Sequence, residues 1–151
     1  MVPGIVPDLL LGLLALAVFD AVALLPVLLS SAVRRLGRRW PTDWLAANYL
    51  LAVLGFAATH LAATMGAVAL HGGRLQQDVF LWIAGITLGN ALLWWVAVAV
   101  VFPMRGVWEP KTEGEYDGRI ALTVGVVGYA VATGVALVVI AFVAFALYYP
   151  G

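Results

Sequence analysis

Three polar side chains interrupt three long apolar runs of the sequence at similar distances from their ends. Asp20, His60 and Asn90 each lie 10 or 11 residues from one end of a run. At a helical rise of about 1.5 Å per residue, all three would lie about 15–17 Å deep, near the centre of a hydrocarbon core about 30 Å thick. A carboxylate at that depth costs roughly 2.5–3.5 kcal/mol on insertion scales. We therefore treat the three residues as a candidate intramembrane polar site.

These residues support two hypotheses. In the functional one, Asp20 is a proton or cation site and His60 is its relay partner or counter-ion, because intramembrane Asp and His commonly mark ion pathways. In the structural one, a protonated Asp20, His60 and Asn90 hydrogen-bond across helices, where such bonds are worth about 0.6 kcal/mol on average. The fourth run offers only hydroxyls, with Thr133 predicted about one turn deeper and Tyr129 about two turns deeper.

The remaining residue types argue against an enzyme, and no cofactor is expected. The chain has no cysteine, and Asp20 with His60 falls short of the three or more ligands that a catalytic metal needs. The only serines, Ser30 and Ser31, lie about 15 Å deeper than Asp20, too far for a catalytic triad. His71 is about 16 Å from His60, so one metal ion or one haem cannot use both within a chain.

Four apolar runs carry these residues, and each exceeds the roughly 18 residues that a spanning helix needs. They cover residues 9–33, 45–71, 79–103 and 119–148. Only 11% of residues are charged, against about 25% in soluble domains. The sequence predicts an all-α, multi-pass protein of the cell membrane, with one domain over residues 1–151 folded as a four-transmembrane-helix bundle. Pro26 should kink its first helix. No basic residues precede that helix, so we expect it to be retained rather than cleaved as a signal.

Basic residues predict the orientation of the bundle. Seven of the eight lie in or beside the first and third connections. Four of them form an arginine cluster, which consists of Arg34, Arg35, Arg38 and Arg39. Because cytoplasmic connections are enriched in Lys and Arg, both termini should face outside. The cluster should set topology and contact anionic lipid headgroups, not nucleic acid. Glu113 and Glu115 of the third connection should pair with it.

Small residues predict close helix packing, as in the GxxxG spacing of Gly85 and Gly89. Such faces pack within one chain or between chains, so a homo- or hetero-oligomer is plausible. We interpret the protein as a small, non-enzymatic membrane subunit that packs into an oligomer. The alternative is a proton- or cation-coupled carrier or channel component that uses Asp20 with His60.

Overall fold

The described residues form a helical bundle. A computed structural model describes residues 5–70 and 79–148, so His71 and the connection that follows it lie outside the described residues. The helices are α1 (Ile5–Leu24), α2 (Ser31–Gly37), α3 (Leu45–Leu70), α4 (Val79–Val96), α5 (Phe102–Met104) and α6 (Gly118–Tyr148). A 3₁₀ segment, Leu25–Leu29, follows α1, and a π-helical segment, Ala97–Val101, joins α4 to α5. The described part of the chain contains no strand.

Within residues 5–70 and 79–148, four helical stretches are long and apolar enough to cross a bilayer, which confirms the predicted all-α bundle of four spans. They are Pro7–Leu29, Leu45–Leu70, Leu81–Met104 and Gly118–Leu147. Large apolar side chains cover the outside of the bundle, where Val22 and Leu81 are 70% and 74% exposed. This distribution suits a surface that faces lipid, in which outward apolar groups carry no penalty.

The structure divides the predicted first helix in two at Pro26. The α-helix ends at Leu24, the 3₁₀ segment follows, and Ser30 is extended with φ −73° and ψ 125°. Pro26 causes the break because it has no N–H and its ring clashes with the preceding turn. The predicted kink is therefore confirmed, and the chain beyond it restarts as the separate helix α2.

Arg34 stabilises this break. Its Nη1 donates to the carbonyl oxygens of Leu28 and Leu29, at 2.7 and 2.9 Å. A helix end leaves such carbonyls without intrahelical partners, and an unsatisfied carbonyl is expensive near the membrane interior. One guanidinium of the arginine cluster thus supplies hydrogen bonds to two carbonyls at the end of the first span.

Two contacts set the register between α1 and α3. Ala17 packs with Val53 and Ala57, and the Tyr49 hydroxyl donates to the carbonyl of Ala21. A later residue of α1 therefore contacts an earlier residue of α3, so the two helices are antiparallel. Asp20 lies level with about residue 51 of α3.

The C-terminal helix packs closely against the second half of the first span. A Cβ on Gly118 would lie 2.7 Å from the Trp108 ring and 2.8 Å from the Ala32 Cβ. One on Gly125 would overlap the side chain of Val27. Glycine at these two positions allows α6 to approach, and the contacts fix its register against the first span.

Candidate functional site

A carboxyl–phenol pair lies at the centre of the bundle. Asp20 and Tyr129 are both completely buried, and the Tyr129 hydroxyl donates to Oδ1 of Asp20 at 2.7 Å. The phenol ring is held edge-on by Phe56 and Phe19, with ring centroids 5.1 and 6.0 Å away. Oδ2 of Asp20 has no hydrogen-bond partner in the described part of the chain. The pair joins α1 to α6.

A second polar contact joins α3 to α4. Nε2 of His60 lies 3.0 Å from the hydroxyl oxygen of Thr87, and both residues are buried. Nδ1 of His60 has no partner among the described residues. Asn90, one turn from Thr87, donates from Nδ2 to the carbonyl of Phe56 at 3.1 Å. Both contacts tie the same two helices together.

The structure does not join Asp20 to His60. No hydrogen bond or ion pair links them within residues 5–70 and 79–148, since each has a different partner. With Asp20 level with about residue 51 of α3, His60 lies about 14 Å further along the bundle axis. Asp20, His60 and Asn90 therefore do not form the single layer that was expected: the Asp20–Tyr129 contact lies at a different depth from the two contacts between α3 and α4. One reason is that α1 begins at Ile5, so Asp20 lies about one turn deeper than a helix from residue 9 would place it.

Tyr129 is the site residue that sequence reasoning misplaced. It was expected about two turns deeper than Asp20, yet the two side chains meet. The depth expected for Tyr129 assumes that Leu9, at the outer end of the first apolar run, and Tyr148, at the outer end of the fourth, lie at one level. The contacts of α6 with the first span instead set Tyr148 about two turns beyond Leu9. A tyrosine within an apolar run was the available signal, because a buried phenol hydroxyl needs a partner.

An apolar cavity of about 480 Å³ extends from this pair toward the arginine cluster. Tyr129 and Phe56 line one end, and Leu36 and Trp40 line the other. Asn48, a further lining residue, directs its polar groups elsewhere: Nδ2 donates to the Gly37 carbonyl at 2.7 Å, and Oδ1 accepts from the Thr42 hydroxyl at 2.8 Å. The interior of the cavity is consequently almost wholly apolar.

The four arginines of the cluster have different surroundings. Arg34 caps the break in the first span, and Arg35 forms an ion pair with Glu115. Arg38 and Arg39 are exposed. The predicted pairing of the two connections is confirmed for Glu115, whereas Glu113 forms no ion pair with the described residues. Two guanidinium groups thus remain available to lipid headgroups.

Glu115 should make stability depend on pH. Hydrogen bonds from Thr112, Arg35 and Ser31 lower the pKa of Glu115 to about 2 from its ordinary value of 4.5. A lowered folded-state pKa means that the ionised carboxylate stabilises the fold above about pH 4.5, and that this contribution is lost as pH falls through about 2. The melting temperature should therefore fall more in wild type than in Glu115→Gln between pH 5 and pH 2.

Glu113→Gln is the matched control, since it removes an exposed carboxylate from the same connection. It should follow wild type across the pH range. Added salt should shrink the difference between wild type and Glu115→Gln, because the pair is partly exposed and screened. Parallel pH curves for wild type and Glu115→Gln would contradict the assignment.

No group of three or more His, Cys, Asp or Glu side chains is placed to hold a metal ion among the described residues. No family model matches the chain, and no curated protein or solved structure is significantly similar to it. The four apolar helices of the described residues fit a small, multi-pass helical membrane protein, and the Asp20–Tyr129 pair lies buried between two of them.

Proposed function

We propose that the protein is a non-enzymatic subunit of the cell membrane that packs with further copies of itself through the outer face of α4. The observation that carries this proposal is an open GxxxG face. Gly85 and Gly89 are exposed, and a Cβ placed on either would meet no atom within 4 Å. The small-residue spacing is therefore not used for packing within the described chain.

The shape of that face favours a second helix. Leu81, Trp82, Gly85 and Ile86 line a shallow, open depression on the outside of the bundle. In a bilayer, helix association depends on close van der Waals contact, which glycines permit by letting backbones approach. A two-fold arrangement would place the same depression of both copies in one interface, as in most homo-oligomers.

Bulky residues on this face should break the oligomer. Gly85→Leu with Gly89→Leu inserts side chains where two backbones would meet, at a cost of about 1–3 kcal/mol for overpacking. The dissociation constant should then rise about tenfold or more. The stoichiometry of labelled protein in lipid vesicles, measured by single-molecule photobleaching over a range of protein-to-lipid ratios, checks this.

Gly12→Leu with Gly66→Leu provides a matched control. Both glycines are exposed and have open space, but they lie on α1 and α3. This control should associate like wild type. A monomeric wild type at all protein-to-lipid ratios, or equal loss in both double variants, would contradict the proposal.

A second candidate function is a proton- or cation-coupled carrier centred on Asp20. Two buried atoms support it, because Oδ2 of Asp20 and Nδ1 of His60 have no hydrogen-bond partners among the described residues. Buried polar atoms are usually satisfied, so such atoms point to a bound proton, ion or water. A carrier of this kind requires a titratable group at position 20.

A further inference from the structure

The apolar cavity has the length of one lipid tail. Leu45 and Phe56 both line it from α3, and their separation of eleven positions corresponds to about 16 Å along the helix. Half of a hydrocarbon core about 30 Å thick is about 15 Å. The volume of the cavity, about 480 Å³, falls within the range of about 300–1,000 Å³ that small-molecule sites occupy.

The cavity is accessible from the side of the bundle. Leu51 and Trp40 belong to its lining and are still 52% and 51% exposed. The break at Pro26 contributes to this space, because Leu24, Val27 and Leu28 line it from the interrupted part of the first span. An acyl chain could therefore enter laterally, without crossing a polar surface.

Two exposed arginines lie beside the end of the cavity that is lined by Leu36 and Trp40. Trp40 and Pro41 line this end of the cavity, and in the sequence they directly follow Arg38 and Arg39, which are both exposed. Arg34 and Arg35 are occupied by backbone carbonyls and by Glu115. Asp43 is the one carboxylate of this connection, so a net positive charge remains beside the mouth.

We propose that the cavity binds one acyl chain of an anionic phospholipid, with the headgroup against Arg38 and Arg39. The apolar lining stabilises the chain, and the Asp20–Tyr129 pair marks the depth at which it ends. The two guanidinium groups select lipids with a net negative headgroup. Each surface basic residue contributes up to about fivefold in affinity, or about thirtyfold for the pair.

Native mass spectrometry of the full chain in neutral detergent tests this with two probes, phosphatidylglycerol and phosphatidylcholine. Wild type should retain phosphatidylglycerol up to about thirtyfold more strongly. Arg38→Gln with Arg39→Gln should abolish that preference and leave phosphatidylcholine binding unchanged. The charge-matched control, Arg105→Gln with Lys111→Gln, removes two exposed positive charges from the third connection and should behave as wild type.

Cavity-filling variants test the tail site separately. Ala52→Phe and Val98→Phe place a ring at lining positions and should reduce retention of both lipids at least tenfold. The controls Ala58→Phe and Val100→Phe add the same ring on the same helices away from the lining. Equal retention of the two lipids by wild type, or equal loss in cavity and control variants, overturns the proposal. If both cavity variants misfold, the double arginine variant provides the test: loss of its preference for phosphatidylglycerol supports the proposal, and persistence of that preference overturns it.

Discussion

Replacing Trp108 by alanine should lower the free energy of unfolding by about 3–5 kcal/mol, the range for truncating a large buried aromatic side chain. Trp108 is only 4% exposed and forms a cluster with Ala32 and Leu36. Its Nε1 also donates to the Ala32 carbonyl at 3.1 Å, so the truncation removes this buried hydrogen bond as well. Unfolding by a denaturing detergent, titrated into protein in mild detergent, measures the change.

Trp44→Ala is the matched control for this measurement. Trp44 is 70% exposed beside the start of α3, so its loss should change stability by less than about 0.5 kcal/mol. Trp108→Phe separates packing from hydrogen bonding, since it retains an aromatic ring but lacks the Nε1 donor. Equal losses for Trp108→Ala and Trp44→Ala would show that the cluster around Ala32 does not hold α2 in place.

The Asp20–Tyr129 pair should show strong energetic coupling. Tyr129→Phe leaves a fully buried carboxyl group without a partner, which costs about 1–3 kcal/mol. Asp20→Leu leaves the phenol hydroxyl without its acceptor and should also destabilise. The variant with both changes removes both polar groups, so its loss should be smaller than the sum by about 0.5–3 kcal/mol. Thermal melting in mild detergent measures all four proteins, and additive losses would contradict the coupling.

Asp20→Asn separates the two candidate functions. It keeps an oxygen that accepts from Tyr129 and removes the titratable proton, so the fold should be retained. In reconstituted vesicles, a proton-coupled carrier would show flux driven by a pH gradient in wild type and none in Asp20→Asn. A packing subunit would show no flux in either protein and unchanged association. Flux that persists in Asp20→Asn would exclude a carrier based on this carboxyl group.

The spans were predictable because each depends on composition over a long window. Predicted helices at 45–71, 79–103 and 119–148 agree closely with the structure, and the interruption at Pro26 follows from the chemistry of one residue. The ion pair of Arg35 with Glu115 was also predictable, because charge patterning alone put the two connections on one side of the membrane.

Which polar side chains contact one another inside the bundle was less predictable. An apolar run predicts the length of a helix but not its axial offset from the neighbouring helices. A shift of about two turns in α6 brings Tyr129, instead of His60, to Asp20. That shift depends on tight contacts such as Gly125 against Val27, which appear only when the helices are packed. The cavity was equally hidden, since it results from the combined paths of the broken first span and its neighbours.

The four apolar stretches also differ in length. The first, Pro7–Leu29, has 23 residues and the last, Gly118–Leu147, has 30, which correspond to about 34 and 45 Å. Both exceed a hydrocarbon core of about 30 Å, but the last exceeds it far more. Hydrophobic mismatch is therefore asymmetric. Beside α6 the helix must tilt or the bilayer must thicken locally, whereas beside α1 a much smaller adjustment is enough. Thicker bilayers relieve this strain, so membrane thickness itself would favour one lipid environment for the protein over another.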